Sequence, residues 1–295
     1  MKIALIVNPC SGSNRPKKVV PRLMEMFRKE RIEVDPFFSR SDSHLRSIAR
    51  HINVSGYDVI APVGGDGTNF HVINGLLSGH PEGDIPPLAV IPAGSGNSFA
   101  RDLGIVTPDQ ALGAIIRYRP RPVDVLRFTG RNQSFWFVNL MGLGFVTEVA
   151  RTAARFKAFK DFSYLIGVVH QTLFLTCHHL ELTVDGRPFS GQNCFVEFCN
   201  SRYTGGRMLM APFASIDDGQ MDIIIVSHLT RGRLLRALPK IFTGDHVHMD
   251  EVTHVKGRTA CFKTSPVKAL LPDGEIAGHT PGQVDVLPGH LCYLW

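Results

Sequence analysis

Several common features are missing from this sequence. Its six cysteines form no Cys-x-x-Cys pair, which argues against zinc ribbons and disulfide frameworks, since both need close, regular spacings. There is no GxxxxGK[ST] loop and no HRD and DFG set, so Walker A proteins and protein kinases are excluded. The N-terminal apolar run has the length of a strand and lacks a cleavage signature. We therefore expect free buried thiols in a reducing cytoplasm.

Long hydrophobic runs are also absent. The strongest candidate, Phe162–Cys177, is interrupted by Gly167, His170 and Gln171 and falls short of the ~20 apolar residues of a spanning helix. It is predicted as an amphipathic helix. The sequence therefore predicts a soluble protein without a transmembrane segment, whose membrane contact is peripheral.

The charge is moderate and basic. Charged residues make up 20% of the 295 residues and the formal net charge is +6. This balance favours an anionic partner, such as nucleotide phosphates, an acidic membrane surface or nucleic acid. Because the cations form no tract interleaved with aromatic residues, nucleic-acid binding is not expected.

Apolar periodicity predicts that strands and helices alternate in the first third of the chain, which is typical of a parallel sheet covered by helices. Ser43 is a candidate cap of the second helix. The predicted strands are Lys2–Val7, Glu33–Phe38, Tyr57–Val63 and Leu88–Pro92, and the predicted helices are Val19–Lys29, Ser43–Ile52, Thr68–Leu77 and Phe99–Leu103.

Past residue 122 the segments become short and β-rich, with Gly, Pro and Asp between them, as in a mainly antiparallel sandwich. One helical interruption is predicted at Val146–Thr176. We therefore predict an α/β domain over residues 1–122 and a β-rich domain over residues 123–295, with the last strand a candidate for packing back on the first domain. The predicted strands are Phe135–Leu140, Leu180–Val184, Asn193–Cys199, Met221–Val226, Thr259–Lys263 and Gln283–Val286.

The segment Gly64-Gly65-Asp66-Gly67-Thr68 joins a buried strand to a helix. Glycines let the backbone approach a phosphate, and a helix N-terminus offers unpaired N–H groups. Asp66 is a poor direct phosphate contact because like charges repel, but it suits Mg²⁺ held through water. We expect a phosphate site at this turn.

Two further segments follow strands of the same predicted sheet. Gly94-Ser95-Gly96-Asn97 resembles a phosphate turn but lacks the third glycine of a dinucleotide fingerprint. Asn8–Ser13 supplies hydroxyls and a glycine, with Arg15 and three further cations behind it. Parallel strands open their loops on one carboxyl edge, where ligands of such sheets bind. A structural turn and a solvated basic face remain alternatives for these two segments.

Asp273-Gly274-Glu275 lies near the C-terminus. Taken alone it is an ordinary hairpin turn. Phosphoryl transfer to an alcohol benefits from a carboxylate that accepts the hydroxyl proton. Glu275 is therefore a candidate base.

These motifs occur in a specific order: Asn8–Gly12, Gly64–Thr68, Gly94–Asn97, Ala211–Gly219 and Asp273–Glu275. In that order, and over essentially the whole chain, they resemble the diacylglycerol kinase catalytic-domain family. That family includes bacterial diacylglycerol and lipid kinases, sphingosine kinases and ceramide kinases.

The resemblance implies a two-domain fold of the NAD kinase and diacylglycerol kinase type, with ATP in the interdomain cleft and the lipid on the β-rich domain. It implies transfer of the γ-phosphoryl group of Mg-ATP to a lipid hydroxyl at a membrane surface, with diacylglycerol or a related lipid as the first expectation. The implied nucleotide contacts are Asn8, Ser11, Gly12, Ser39, Gly64, Gly65, Asp66, Gly67, Thr68, Asn69, Phe70, His71, Ser95, Gly96 and Asn97.

The resemblance also assigns the metal and the base. Glu275 matches the proton acceptor, and Asp124 matches an aspartate that joins Asp66 in an Mg²⁺–water network. Ala211–Gly219 resembles a structural Mg²⁺ loop. Its implied ligands are the Asp218 carboxylate and the backbone oxygens of Ser215 and Gln220, and Lys160 matches a lysine for phosphate or headgroup contact.

Three departures keep alternatives open. His71 stands where the family has an acidic residue, and Ser98 stands where many bacterial members have an aspartate. Pro92–Asn97 reads more like sphingosine kinases. A sphingoid-base kinase, an NAD kinase and a nucleotide-binding regulator with weakened catalysis therefore remain alternatives, and the oligomeric state, including a homodimer, is open.

Overall fold

The computed structural model describes residues 1–81, 85–155, 172 and 175–295. Its helices are α1 (Ser11–Asn14), α2 (Pro16–Lys29), α3 (Asp42–His51), α4 (Asp66–Gly79), α5 (Ser98–Asp102), α6 (Pro108–Arg117), α7 (Phe145–Arg155), α8 (Arg231–Ala237) and α9 (Lys240–Thr243). Its strands are β1 (Lys2–Val7), β2 (Glu33–Phe38), β3 (Val59–Gly64), β4 (Ile91–Pro92), β5 (Pro120–Gly130), β6 (Gln133–Phe137), β7 (Leu140–Gly144), β8 (His178–Val184), β9 (Arg187–Cys199), β10 (Tyr203–Thr204), β11 (Met208–Leu209), β12 (Met221–Ser227), β13 (Val252–Gly257), β14 (Thr259–Ser265), β15 (Leu270–Pro272) and β16 (Gly282–Leu294).

The first part of the chain forms the predicted parallel sheet, with strand order β2-β1-β3-β4. β3 is buried along its whole length, as expected for a strand covered on both faces. Ser43 is not the cap of α3. Ser41 holds that position and its Oγ accepts the His44 N–H at 3.1 Å, because Ser41 has the extended backbone that a cap requires.

The rest of the chain forms the predicted antiparallel sandwich, confirming the fold class. Eight of its strands follow the order β13-β12-β9-β8-β14-β16-β5-β6. Off this path, β7 pairs with β9 and β15 pairs with β7. Aromatic side chains such as Phe128, Phe198 and Phe262 fill its core. A single helical interruption is an incomplete prediction, since α8 and α9 also lie here; helices of seven and four residues are too short to show a clear period.

The last strand connects the two sheets. Leu88 of the N-terminal part donates its N–H to the Cys292 carbonyl and accepts the N–H of Leu294, each over 2.8 Å. The predicted boundary at residue 122 lies within β5, which pairs with β16. The division into domains at that residue stays a prediction.

The cysteines are free, but not all are buried: Cys10 and Cys261 are exposed. Among the residues that the structure describes, no helix is both long enough and apolar enough to cross a bilayer. The predicted helix at Phe162–Cys177 lies almost entirely outside the described residues.

Candidate functional site

Three loops follow β1, β3 and β4 and meet at the carboxyl edge of the parallel sheet. The Gly94 N–H donates to the Gly64 carbonyl at 3.0 Å. The Arg15 guanidinium donates to the Gly94 carbonyl at 2.9 Å, and Asn8 Nδ2 donates to Thr68 Oγ1 at 3.2 Å. The structure therefore brings the three glycine-containing segments together.

Glycine is needed where these loops touch. A Cβ on Gly94 would lie 2.8 Å from the backbone nitrogen of Gly65. Gly12 has a φ of +51°, and a Cβ there would lie 3.0 Å from the Gly94 carbonyl carbon. The loops thus pack backbone to backbone, and the N-terminus of α4 is lined by glycines, which suits an anion.

Asp66 lies in the first turn of α4 and reaches across to α5. Its Oδ2 accepts the Ser98 N–H at 2.9 Å and its Oδ1 accepts the Phe99 N–H at 3.0 Å. Burial raises the pKa of the Asp66 carboxyl above its ordinary value, and these N–H donors oppose that shift. Asp66 therefore joins the two glycine turns.

Ser98, which stands where many family members have an aspartate, forms hydrogen bonds of its own. Its side chain hydrogen-bonds to Asp66, and its Oγ accepts the N–H of Gly206 at 2.9 Å. The Gly206 carbonyl in turn accepts Arg101 Nε at 2.6 Å. Ser98 thus connects the α5 turn to the segment after β10, which belongs to the C-terminal part of the chain.

Two predicted nucleotide contacts have side chains that point into the protein. Phe70 is 1% exposed and meets the Phe135 ring edge-on, with centroids 6.0 Å apart. Asn69 Oδ1 accepts the Tyr293 hydroxyl at 3.3 Å. These side chains position α4, so the predicted nucleotide contacts at Asn69 and Phe70 would have to use their backbone.

The three predicted hydroxyl contacts lie at different depths. Ser95 is exposed and Ser11 is half-buried beside Gly65. Ser39 is buried just after β2, and its N–H donates to the Val7 carbonyl at 2.9 Å. Ser11 and Ser95 therefore flank the glycine turns, whereas Ser39 lies at the end of the neighbouring strand.

The Gly96-Asn97 pair shapes the second turn. Asn97 has a left-handed backbone with a φ of +56°. Its side-chain amide bridges the Gly94 backbone, accepting the N–H at 2.9 Å and donating to the carbonyl at 3.0 Å. This closed loop holds Ser95 at the surface.

The turn after β15 presents Glu275. Asp273 anchors the turn, because its carboxylate accepts the N–H groups of Val138, Asn139 and Leu140 at 3.3, 3.0 and 3.1 Å. Burial, aided by the negative charge of Asp66, raises the pKa of Asp273 to about 8. The Glu275 N–H closes the turn on the Pro272 carbonyl at 2.8 Å.

Glu275 lies against the N-terminal turn of α4. A Cβ on Gly67 would lie 3.0 Å from Glu275 Cδ, so an alanine there would push this carboxylate out of its position. His71 Nε2 lies 3.9 Å from Glu275 Oε2. Burial lowers the pKa of His71, which keeps the ring neutral at pH 7. The structure therefore places the candidate base beside the candidate phosphate turn.

His71, Glu275 and Asp42 place one ligand atom each within 4.8 Å of one another. The positive charge of Arg46 also acts on His71, lowering its pKa, and the Arg46 guanidinium lies 5.9 Å from the Phe70 ring centroid. A fixed cation at this position disfavours a second one.

Asp124 contacts the loop at 215–220, which the sequence predicts as a structural Mg²⁺ site. Its carboxylate accepts the N–H groups of Gly219 and Gly289 at 2.6 and 2.7 Å. Burial raises the pKa of Asp124, and the nearby charges of Asp218 and Asp217 add to that effect. These contacts attach Asp124 to the loop at 215–220, whereas the contacts of Asp66 lie at α5.

The loop at 215–220 offers oxygen donors that suit Mg²⁺. The Asp218 carboxylate, however, already accepts the Gln220 N–H at 3.0 Å and the Lys256 ammonium at 3.0 Å. Lys256 Nζ also lies 3.3 Å from Asp222 Oδ2 and donates to the Phe213 carbonyl at 3.2 Å. A Mg²⁺ ion there would compete with this ammonium for the carboxylate, and the Mg²⁺ ligands predicted in the loop stay a prediction.

Sequence reasoning gave no role to Asp273 or Lys256 and treated Ser98 only as a departure from the family pattern. Asp273 belonged to the quoted motif, but its partners lie more than 130 residues away. Lys256 carried no local signal, because its role depends on β12 and β13 being neighbours. Lys160, the predicted phosphate or headgroup contact, lies outside the described residues.

Two family models match the chain. The diacylglycerol kinase catalytic domain matches residues 2–128, and the YegS C-terminal NAD kinase beta sandwich-like domain matches residues 139–294. A diacylglycerol kinase of Bacillus subtilis (strain 168) is 27% identical over 97% of this chain and 94% of its own length. One of Mycobacterium tuberculosis (strain CDC 1551 / Oshkosh) is 27% identical over 99% and 94%.

Solved structures agree. A Bacillus anthracis str. Sterne protein assigned as a diacylglycerol kinase superposes with a TM-score of 0.80 at 28% identity, covering 100% of this chain and 97% of that one. An Archaeoglobus fulgidus NAD kinase in complex with ATP shares the fold, with a TM-score of 0.54 at 13% identity over 100% and 93% of the two chains. Because the two family models together span both sheets, this chain belongs to the diacylglycerol kinase catalytic-domain family, with a YegS-type C-terminal sandwich.

Proposed function

We propose that this protein is an ATP-dependent lipid kinase that transfers the γ-phosphoryl group of Mg-ATP to a hydroxyl of diacylglycerol or a related lipid. The observation that carries the proposal is the position of Glu275 against Gly67. A carboxylate able to accept a hydroxyl proton thus lies beside a turn suited to phosphate. The named relatives support a lipid acceptor, and the ATP-bound neighbour supports ATP as the donor.

The nucleotide phosphates bind where the three loops meet. The N-terminus of α4 supplies unpaired N–H groups and a partial positive charge over a helix of 14 residues. Lys17 and Lys18 are exposed behind the first loop, where they add positive charge that attracts the phosphates. Ser11 and Ser95 offer hydroxyls beside the glycines.

Magnesium accompanies ATP and, when bound, neutralises charge on the phosphates. Asp66 is the carboxylate of this chain that would hold it through water, because its anchoring on α5 leaves it beside the glycine turn. Asp124 would hold the loop at 215–220 in place by accepting the Gly219 N–H. In that loop the Asp218 carboxylate and the backbone oxygens of Ser215 and Gln220 would be the Mg²⁺ ligands.

In the transfer to the acceptor lipid, Glu275 takes up the hydroxyl proton. The lipid hydroxyl oxygen forms a bond to the γ-phosphorus, the bond from that phosphorus to the β–γ bridging oxygen breaks, and the hydroxyl proton passes to the Glu275 carboxylate. ADP leaves with the electron pair. The Asp273 anchor holds the turn that carries Glu275. Neutral His71 lies beside Glu275 and adds no positive charge that would lower its basicity.

The β-rich part of the chain, residues 123–295, carries the lipid in this proposal. Lipid acceptors reside in membranes, so we propose that the protein acts from the cytoplasm at a membrane surface by peripheral contact. Its product would enter lipid metabolism as a phosphorylated lipid.

A transfer assay with radiolabelled ATP tests the proposal. Diacylglycerol, monoacylglycerol, sphingosine, ceramide and NAD are offered separately with Mg²⁺, and we expect label in the diacylglycerol product above all others. Label in sphingosine would make the protein a sphingoid-base kinase, and label only in NAD an NAD kinase. Tight ATP binding with transfer to none of them would identify a regulator and overturn the proposal.

A further inference from the structure

Helices α8 and α9 expose apolar side chains on the face where a surface helix is normally polar. Leu235 is 47% exposed and Phe242 is 58% exposed. The inward face is already filled, because Leu234 and Ile241 are buried in the core beneath these helices. Leu235 and Phe242 are therefore not needed to fill the core.

A third exposed apolar side chain follows a residue that contacts the end of α9. Phe213 is 55% exposed, and the preceding Pro212 packs against Gly244, which ends α9: a Cβ on Gly244 would lie 3.3 Å from Pro212 Cβ. Exposed apolar residues that occur singly need no explanation, but a group on one substructure marks an interaction surface.

Helices α8 and α9 themselves carry only positive charge, although Asp245 follows shortly after α9 and accepts the Thr243 hydroxyl at 2.6 Å. Residues 223–244 contain four cations, Arg231, Arg233, Arg236 and Lys240, and no aspartate or glutamate. All four are exposed. Within the part of the chain that the structure describes, Arg233 pairs with Glu251, while no ion pair is found for the other three. Three cations thus remain available to an anionic surface.

We propose that α8, α9 and Phe213 form the surface by which this protein docks on an anionic lipid bilayer. Leu235 and Phe242 enter the headgroup region, while Arg231, Arg236 and Lys240 contact lipid phosphates. Aromatic and aliphatic tips among cations are the composition of interfacial helices, and each cation near an acidic membrane adds to binding. The inference rests on the proposed function in that the bilayer delivers the lipid acceptor.

A competing surface exists at the end of α6, where Ile116 is 46% exposed and arginines follow at 117, 119 and 121. Two of its groups are engaged within the protein. The Tyr118 hydroxyl donates to the Asp58 carbonyl at 3.4 Å, and the Arg121 guanidinium lies 5.1 Å from the Trp295 ring centroid. Ile116 therefore provides a matched control, with nearly the exposure of Leu235 and also on a helix.

The test is co-sedimentation of the full chain with vesicles of phosphatidylcholine alone and of phosphatidylcholine mixed with phosphatidylglycerol. Wild type should bind the anionic vesicles far better. Leu235→Ser with Phe242→Ser should lower the partition coefficient at least about tenfold, and Arg236→Gln with Lys240→Gln about fivefold per charge on anionic vesicles only. Ile116→Ser should bind like wild type.

Three results would overturn the proposal: unchanged vesicle binding in both double variants, a loss confined to Ile116→Ser, or a shift from dimer to monomer in Phe242→Ser by analytical ultracentrifugation, which would mean that a second copy covers the surface. Vesicle binding is read without ATP, so it stands if no lipid is phosphorylated. A water-soluble short-chain diacylglycerol gives the converse control, since the surface variants should phosphorylate it at the wild-type rate.

Discussion

The turns at Gly65–Gly67 and at Asp273–Glu275 are far apart in the sequence but contact each other, with Gly67 against Glu275. Each contains an aspartate that accepts backbone N–H groups of a distant segment. Asp66 binds residues 98–99, and Asp273 binds residues 138–140. In both turns the aspartate fixes the loop rather than facing the ligand directly.

The turns differ in what they offer beyond that anchor. The first is flanked by glycines and presents backbone N–H groups, which suit an anion. The second places a flexible carboxylate, Glu275, two residues after its anchor. In the proposed reaction, phosphate binding and proton acceptance would therefore be divided between the two turns, which are in contact at Gly67.

The largest effect is expected from closing that contact. Gly67→Ala would place a methyl group where the Glu275 carboxylate lies. We expect turnover to fall about a hundredfold, because a displacement of ~1 Å at a reacting group costs that much, with a smaller change in ATP affinity. The measurement is steady-state kinetics together with nucleotide titration.

Gly56→Ala is the control, since a Cβ there would lie 3.6 Å from Asn53 Nδ2, an ordinary van der Waals contact, and should leave turnover unchanged. If Gly67→Ala keeps turnover within about twofold of wild type, a factor far below the cost of misplacing a reacting group, the two turns do not work together.

Replacing the anchors separately should distinguish their roles. Asp273→Ala removes the acceptor of three N–H groups, so we expect about a tenfold loss in kcat, unchanged KM for ATP, and a loss of ~1–3 kcal/mol in the free energy of unfolding. Asp66→Asn should instead raise the KM for ATP. Equal effects of both substitutions on kcat and KM would remove the distinction between the turns.

How far apart in the sequence two contacting residues lie explains which features could be predicted from the sequence. The parallel sheet, the sandwich and the glycine loops follow from short-range patterns in residues such as Gly64–Thr68. The anchors of Asp66 and Asp273 could not be predicted, because they depend on where distant backbone segments pass. Phe70 falls between these cases: its helical spacing was visible, but the sandwich core that buries it lies more than 50 residues away.

The loop at 215–220 is a third acidic turn, and here the partner is a side-chain cation. Lys256→Met leaves the buried Asp222 without its ammonium, so we expect a loss of ~1–2 kcal/mol in the free energy of unfolding. The measurement is urea unfolding without nucleotide. Added Mg²⁺ should restabilise this variant more than wild type if the predicted loop ligands bind the ion, and an equal response would count against them.

Glu197 is a buried carboxyl that, unlike Asp66 and Asp273, is not anchored by backbone N–H groups of the described residues. Its Oε2 has no hydrogen-bond partner among the described residues, and burial raises its pKa to about 8. Between its unfolded value near 4.5 and about 8, the folded state binds the extra proton, so stability falls as pH rises, by up to about 1.4 kcal/mol per unit. Urea unfolding from pH 5 to 8 should show a shallower slope for Glu197→Gln; identical slopes would contradict the assigned protonation.

The most direct test of the central claim is transfer from labelled ATP to diacylglycerol by wild type and Glu275→Gln, with ATP affinity measured separately on both. Glutamine keeps the size of the side chain but cannot accept the proton. We predict a loss of turnover of at least about a hundredfold, the lower range for a positioned base, with unchanged ATP affinity. Turnover equal to wild type would contradict the role of Glu275 and, with it, the division of work between the two turns.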